Sequence, residues 1–334
     1  MSAGALGLPF AVDLARLADP EFLIGSVGVI AGVYALFALG LQLNVGYTGI
    51  INFGQAGFMA VGVYAMGILV TTAGLSFWLA LPAAIAIAMA FGVLVGLSAL
   101  RLRADYLAIA TIAAAEIVGI VARNARALTG GNQGLACNPD GVCFDDAWLS
   151  IEDAALGWLE GLGWEDPIAL LPLFVAVWVT AALVALALTR LQRTPWGRVL
   201  RAIREDEDAA RALGKNTFAY KLQSLAISAG IAALAGFFLA LNINTISPAD
   251  FEPLFTFIGY GVLVLGGLAS YWGVLAGAGL MWFVIEGTRQ IDLPFSPEQQ
   301  ASLRYVVAGL ILIALMAWRP QGLFGKREEM LLGD

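Results

Sequence analysis

The sequence predicts an all-α integral membrane protein, a polytopic helical bundle of about 8–10 transmembrane helices, some of them short or broken. Its composition supports this class, because hydrophobic residues make up 60% of the 334 residues and charged residues only 13%. A soluble domain usually carries about 25% charged residues. The distribution of charge is equally informative, since no charged residue lies between Glu21 and Arg101.

The apolar segments predict about nine spans, because each span needs about 20 apolar residues. The uncharged stretch is too long for one helix, and it is interrupted at 44–46 and 71–74. We predict a single transmembrane domain over 1–334, with spans at 22–43, 49–70, 77–100, 105–122, 167–189, 222–242 and 301–318, and two short helices within 253–288.

The positions of Lys and Arg predict the orientation of the bundle, because these residues concentrate in cytoplasmic loops. They are dense in the loop 190–221 and recur in the tail 319–334, so both segments are expected in the cytoplasm. The acidic segment 132–166 contains neither Lys nor Arg and is expected outside. Arg123 and Arg126 fall near the outer side, against the rule. Two basic regions on one side require an even number of crossings between them, which favours two short helices within 253–288.

The external loop contains both cysteines of the chain. Cys137 and Cys143 bracket a short turn, where they could form a disulfide in an oxidising compartment or remain free thiols. Apolar residues downstream recur at helical spacing, which predicts a surface helix lying at the membrane interface. These residues are Trp148, Ile151, Ala155, Trp158 and Leu162.

Four polar residues lie at membrane depth and are candidates for lining a translocation pathway: Asn52, Gln55, Thr111 and Glu116. An ionisable group in the bilayer core is costly unless it faces protein or water. Glu116 therefore either lines a pathway or makes a structural contact, for example with Arg123. Asn52 and Gln55 lie among glycines, so their helix is expected to be broken or closely packed, and a broken helix is tolerated only in protein or beside a cavity.

A second candidate element is the basic and acidic stretch within 190–221. Pro195 fits the first turn of a helix, and Gly214 fits its end. Val199, Ile203, Ala210 and Leu213 recur at steps of four, seven and three residues, which gives one modest apolar face of a helix. A short amphipathic helix of this kind suits docking into a groove on another protein. The alternative is a solvated loop whose charges only set the topology.

The residues available argue against an enzyme. The chain contains no His, and its two Cys cannot by themselves hold zinc or an iron–sulfur cluster. No P-loop motif occurs, so ATP hydrolysis is expected on another chain. The acidic run 205–208 could suggest Mg²⁺-pyrophosphate chemistry, as in a membrane prenyltransferase, but a second acidic cluster on the same face would be needed. A net charge of −7 argues against nucleic-acid binding.

Several motifs resemble those of ABC importer permeases. Asp208-Ala209-Ala210, followed after three residues by Gly214, resembles the loop through which these permeases contact their ATPases, although that loop usually begins with Glu. Other segments resemble the permeases of branched-chain amino acid ABC importers in particular. In order along the chain they are 44–58 (NVGYTGIINFGQAGF), 103–111 (RADYLAIAT), 129–134 (TGGNQG), 194–214, 264–273 (VLGGLASYWG) and 319–325 (RPQGLFG).

The resemblance implies a transport subunit that forms the pathway for branched-chain or related amino acids in a bacterial or archaeal cytoplasmic membrane. It implies a homologous second permease, two cytoplasmic ATPases that hold the ATP and Mg²⁺, and an external solute-binding protein, with no cofactor or metal in this chain. A urea or short-chain amide permease, and a stand-alone secondary transporter or channel, remain alternatives. The residues expected to couple to the ATPases are Arg201, Arg204, Glu205, Asp208, Ala209, Ala210 and Gly214.

Overall fold

The computed structural model describes residues 11–12, 19–138, 141–164, 167–292, 297–319 and 322–325, and helices dominate it. The helix α1, Phe22–Thr48, has π-helical turns at both ends, Phe22–Gly28 and Gln42–Thr48. The remaining helices are α2 Gln55–Thr71, α3 Phe77–Ala99, α4 Ala104–Asn124, α5 Asp146–Gly161, α6 Leu171–Leu191, α7 Pro195–Glu205, α8 Glu207–Ala212, α9 Thr217–Ile243, α10 Pro253–Gly266, α11 Tyr271–Gly287 and α12 Pro297–Trp318.

Short segments complete the described chain. A helical turn at Arg126–Thr129 and 3-10 turns at Gly131–Gln133, Pro248–Phe251 and Thr288–Gln290 connect the longer helices. Two-residue strands, β1 (Ala11–Val12) and β2 (Ile291–Asp292), pair antiparallel with Ala11 opposite Asp292. The all-α class is therefore confirmed.

Each of the nine predicted apolar segments contains a helix, but not every helix is a full span. Among the described residues, α1, α3, α4, α6 and α9 are long and apolar enough to cross a membrane alone. α2 has only 17 residues, and α10 and α11 form a pair bent by 116° that would add a sixth span if it acted as one. α2 is short because residues 49–54 are not helical, and α10 and α11 are separate helices because residues 267–270 form a turn.

Contacts along α1 show that α10 and α11 run in opposite directions. Tyr34 stacks on Phe255 near the start of α10, with 4.2 Å between ring centroids. The Tyr47 hydroxyl donates to the carbonyl of Ala269, in the turn between the two helices, at 2.5 Å. The Trp282 indole then donates to the carbonyl of Ser26 at 3.2 Å. The pair is therefore a V of two arms along α1, in agreement with the two short helices predicted.

Hydrogen bonds and packing contacts between the loops and the helix ends assign the loops to two ends of the bundle. At one end, Asn138 donates to the carbonyl of Thr71 at 2.8 Å, and Leu135 bridges Ile246. At the other end, α7 packs on the C-terminal turns of α1. The tail returns to that second end, where the Leu323 amide donates to the carbonyl of Leu265 at 3.0 Å.

Burial separates a central pair of helices from a peripheral set. In the most apolar 18-residue stretch of each helix, 89% is buried in α9 and 72% in α1, whereas only 22% is buried in α4. Glycines permit this packing, because they let helix backbones approach closely. A Cβ built on Gly277 of α11 would lie 2.7 Å from the Cα of Gly266 in α10, so the arms of the V are in backbone contact.

We expect Gly277→Ala to destabilise the protein, because the added methyl group would meet backbone atoms that cannot move aside cheaply. The cost should be about 1–3 kcal/mol, typical of overpacking. Thermal unfolding in mild detergent measures it. Gly279→Ala is the matched control in the same helix, since no atom of the described residues lies within 4 Å of its Cβ position. Equal melting temperatures for the two variants would contradict the close contact.

Candidate translocation and coupling site

The chain is unwound between α1 and α2, over residues 49–54. Gly49 ends α1 with a φ of +73°, a left-handed conformation that glycine adopts without strain. The Ile50 amide donates back to the carbonyl of Asn44 at 2.9 Å, which closes the last turn. The prediction of a span starting at 49 was therefore wrong in its first six residues, whereas the expected break in this helix is observed.

Side chains from α4 and α10 hold the unwound segment. The Asn52 backbone amide donates to the Tyr260 hydroxyl at 3.1 Å, and that hydroxyl donates to the Asn52 backbone carbonyl at 2.9 Å. The Phe53 amide donates to Thr111 Oγ1 at 3.1 Å. The Ala56 amide, at the start of α2, donates to Thr256 Oγ1 at 3.2 Å. Backbone groups that leave a helix within an apolar bundle need such partners, since water is absent there.

A buried polar network continues from this segment towards α9. The Asn52 side-chain amide donates to Gln55 Oε1 at 2.9 Å, and the Gln55 side-chain amide donates to the carbonyl of Ser228 at 3.1 Å. The Ser228 hydroxyl donates to the carbonyl of Gly40 at 2.9 Å and accepts from the Asn44 side-chain amide at 2.9 Å. The network therefore ties α1, the unwound segment and the central helix α9 together.

Three candidate pathway residues lie in this packed region. Asn52, Gln55 and Thr111 have no exposed surface, and each has hydrogen-bond partners in the protein. In this conformation they hold the backbone in place rather than face an open cavity. Their role in lining a pathway stays a prediction.

Glu116 lies in a different setting from the other three. Its side chain is 45% exposed on α4, and its Oε2 lies 3.8 Å from Nη2 of Arg123. The structural alternative for this residue, an ion pair with Arg123, is therefore the contact observed. Glu116 faces outward, beside exposed Ile117 and Ile120, and its role in lining a pathway stays a prediction.

The stretch 195–214, called the coupling segment from here on because it contains the residues expected to couple to the ATPases, forms two helices where one was expected. α7 ends at Glu205 because Asp206 is extended, with φ of −153° and ψ of 105°. The Asp206 carboxylate then caps α8 by accepting from the Ala209 amide at 2.9 Å. Gly214, with φ of +77°, follows the end of α8 as the sequence predicted.

Contacts on the inner face of this segment reach the π-helical end of α1. Arg204 donates a hydrogen bond to the carbonyl of Gly46. The guanidinium of Arg201 lies 5.4 Å from the centre of the Tyr47 ring, within cation–π range. Ile203 and Ala210 are buried beneath the two helices. The coupling segment therefore rests directly on the turns that precede the unwound segment.

The outer face of the segment is solvent-exposed. It contains Glu205, Asp208, Ala209 and Gly214, four of the residues expected to couple. Leu213, at the end of α8, is 79% exposed although it is apolar. Single exposed apolar side chains are common on protein surfaces, and Leu213 is the large apolar group that a partner docking on this face would bury as an anchor.

Electrostatics stabilise α8. Burial tends to raise the pKa of the Glu207 carboxyl, but the hydrogen bond and charge of Lys221, aided by Thr217 and Arg211, outweigh it and hold the pKa below its usual value. The carboxylate is thus ionised at neutral pH. Because the folded-state pKa is lowered, this stabilisation is present above the ordinary pKa and is lost as the pH falls through the lowered one.

Sequence reasoning missed several residues of the site. Tyr47, Ser228 and Tyr260 make central contacts but were not among the candidates. Ser224 and Ser228 lie four residues apart on the long apolar helix α9, and that polar spacing was an available signal. The two tyrosines gave none, because their partners are distant in sequence.

Cys137 and Cys143 are joined by a disulfide at the end of the bundle opposite the coupling segment. It closes a loop whose residues 139–140 lie outside the described part of the chain. The expected surface helix follows as α5, and none of its residues is fully buried. This loop therefore presents a separate exposed surface.

Comparison with known proteins identifies the family. Residues 23–316 match the family described as the permease component of branched-chain amino acid transport systems. The chain belongs to this family. It is 34% identical to the high-affinity branched-chain amino acid transport system permease protein LivM of Escherichia coli strain K12, over 91% of this chain and 71% of that protein.

More distant permeases of the family also match. The probable LivM protein of Methanocaldococcus jannaschii is 27% identical, over 89% of this chain and 91% of that protein. The permease protein LivH of E. coli K12 is also 27% identical, over 90% of this chain and 94% of that protein. No solved structure matches the chain. The family resemblance predicted from the motifs is confirmed, and the chain is a multi-pass membrane permease, a subunit of a transport system.

We expect Ser228→Ala to lower the stability of this permease, because it removes the acceptor of the Asn44 side-chain amide and the donor to the carbonyl of Gly40. The cost should be about 1–2 kcal/mol. Thermal unfolding in detergent measures it. Ser98→Ala is the matched control, since among the described residues the Ser98 hydroxyl donates only to the carbonyl of Val95 in its own helix. A normal melting temperature with impaired uptake would instead assign the network to the pathway.

Proposed function

We propose that this permease is the membrane-spanning subunit of an ATP-driven importer and forms the translocation pathway for branched-chain or related amino acids. The observation that carries the proposal is the direct contact of α7 with the end of α1 that leads into the unwound segment. An exposed docking surface is thereby connected to irregular backbone in the middle of the bundle. The family and the names of its LivM and LivH relatives support this cargo over urea or a short-chain amide.

The proposed assembly contains a homologous second permease, two cytoplasmic ATPases and an external solute-binding protein. Similarity to both LivM and LivH proteins supports the second permease. ATP and Mg²⁺ would be held by the ATPases, and no cofactor is assigned to this chain. The exposed Leu213 and its charged neighbours support an ATPase contact.

We place the complex in a bacterial or archaeal cytoplasmic membrane, with the coupling segment and the tail in the cytoplasm. The grouping of loops supports this topology, because α7, α8 and residues 322–325 lie at one end of the bundle. Positive charge concentrates at that end in the sequence. The acidic loop with α5 lies at the opposite, external end. Tail residues 320–321 and 326–334 are outside the described structure.

The proposed mechanism is a switch between two packings of the bundle. Movement of the ATPases would displace α7 and α8, and the contacts of Arg204 and Arg201 would pass that displacement to the π-helical turns of α1. Such turns are frequent at functional sites. The unwound segment would follow, because it is held by a small number of hydrogen bonds to α4 and α10. Bistable packing of this kind underlies alternating access.

We place the pathway along the exposed face that the unwound segment shares with α4 and α10. Ile51, Ile117 and Phe257 are exposed there, and Glu116 lies on the same helix as Ile117. The second permease would supply the opposite wall. Asn52, Gln55 and Thr111 lie immediately behind this face, so a shift of the unwound segment would bring them towards it.

A stand-alone secondary transporter is the competing function from another class. It would require membrane acids free to bind a coupling ion. Glu116 pairs with Arg123, and Glu286 lies 3.5 Å from Arg289. Uptake by the purified chain in vesicles under an ion gradient, without ATPases, would favour this alternative.

We expect Leu213→Asp to abolish co-purification of a P-loop ATPase, because it places a charge at the apolar anchor. At least about tenfold less ATPase should be recovered from native membranes. Leu213 is a sharper target than Ala210, which is buried and would disturb the fold if replaced. Leu162→Asp is the control, a similar change at an exposed leucine at the opposite end. Loss of the ATPase from both variants, or from neither, would refute the assigned surface.

We expect Arg204→Gln to uncouple the ATPases from transport without releasing them. The substitution removes a charged hydrogen bond to Gly46, so uptake of labelled leucine should fall roughly tenfold. ATPase recovery should stay near that of the wild type. Arg198→Gln, at an exposed position of the same helix, is the control and should leave uptake unchanged. Equal uptake by the two variants would show that Arg204 does not transmit the movement.

A further inference from the structure

A cavity of about 460 Å³ lies at the coupling end, between the end of α3 and the junction of α8 with α9. Four cationic side chains and one carboxylate line it: Arg101, Arg211, Lys215, Lys221 and Glu207. Glu207, Arg211 and Lys221 stabilise α8 at one wall of this cavity, whereas Arg101 has no part in the contacts already described for the pathway or the ATPase surface.

The positive charge in the cavity is only partly neutralised. Glu207 forms ion pairs with Arg211 and Lys221, and Arg211 also contacts Asp208 at 2.9 Å. Within the described part of the chain, Arg101 and Lys215 have no carboxylate partner. The N-terminal end of α9 adds partial positive charge to the same space. The cavity is therefore suited to an anion.

An apolar surface leads from this cavity along the bundle. Leu94 and Leu97 are exposed in the last turns of α3 and lie three residues apart, so they share one side of that helix, and Arg101 follows two residues after the helix ends. Leu100 and Phe218 line the cavity itself. Because α3 is a full-length span, the cavity lies where the helix leaves the membrane. A ligand with an anionic head and an apolar tail matches this arrangement better than a soluble anion.

We propose that this cavity binds the phosphate of an anionic phospholipid, with Arg101 and Lys215 as its principal contacts. The acyl chains lie along Leu94 and Leu97. Basic pockets between helices at the cytoplasmic surface bind lipid headgroups in this manner. The bound lipid tethers α8, part of the coupling segment, to the end of α3. The proposal requires a membrane permease but does not depend on which solute is transported or on the ATPase contact.

Native mass spectrometry of the purified intact chain tests the site, with phosphatidylglycerol and phosphatidylcholine as probes. Wild type should bind phosphatidylglycerol more tightly than phosphatidylcholine. Arg101→Ala combined with Lys215→Ala should weaken phosphatidylglycerol binding about tenfold or more, because two headgroup contacts are lost. Arg193→Ala combined with Arg198→Ala is the matched control. It removes the same charge from exposed positions outside the cavity and should leave binding within about twofold.

Two further measurements keep the test decisive. Arg101→Lys combined with Lys215→Arg keeps both positive charges and should retain phosphatidylglycerol binding. If the alanine pair does not purify as a single species, Arg101→Gln combined with Lys215→Gln takes its place. Equal phosphatidylglycerol affinity in wild type and the cavity variants would overturn the proposal. Wild-type affinity for phosphatidylcholine equal to that for phosphatidylglycerol would also overturn it. Displacement of phosphatidylglycerol by millimolar inorganic phosphate would overturn it too, because the ligand would then be a soluble anion. None of these results bears on ATPase recovery with Leu213→Asp.

Discussion

The hydrogen bonding of the unwound segment 49–54 is the constraint on which the rest of the structure depends. A break in a helix inside an apolar bundle exposes backbone groups that water cannot reach. Here Tyr260, Thr111 and Thr256 supply the missing partners, from two helices that are distant in sequence. The segment therefore fixes α4 and α10 against α1 and α2, and any movement of it must change all four helices together.

This constraint also connects the coupling surface to the interior. α7 contacts the final turns of α1, and those turns lead without interruption into Gly49. A tight bundle transmits small displacements because its packing is dense and has few alternative arrangements. The close backbone contact of Gly266 with Gly277 has the same effect on the V-shaped pair α10 and α11, whose turn lies at the same end. The proposed docking surface and the proposed pathway are thus connected directly through the end of α1.

Much of the fold and the family could be predicted from the sequence. Nine apolar segments became nine helices, and the two short helices within 253–288 are present. The site was less predictable in its detail. Asn52, Gln55 and Thr111 were selected for their polarity, yet their observed partners hold the backbone in place. Asp206 divides the coupling helix, although the spacing of apolar residues indicated one continuous helix. The outward direction of Glu116 was decided by the rotation of α4 in the bundle.

The sequence by itself determined the membrane class, the apolar segments, the basic end and the family, because each depends on composition, local runs of residues or short motifs. The tertiary structure decided which polar groups meet. Asn52 and Tyr260 are 208 residues apart, and Gln55 and Ser228 are 173 apart. No local pattern specifies such pairs, since they exist only after helix directions, rotations and depths are set by packing. The physical reason is that hydrogen bonds in an apolar interior form between whichever groups the packed helices bring within reach.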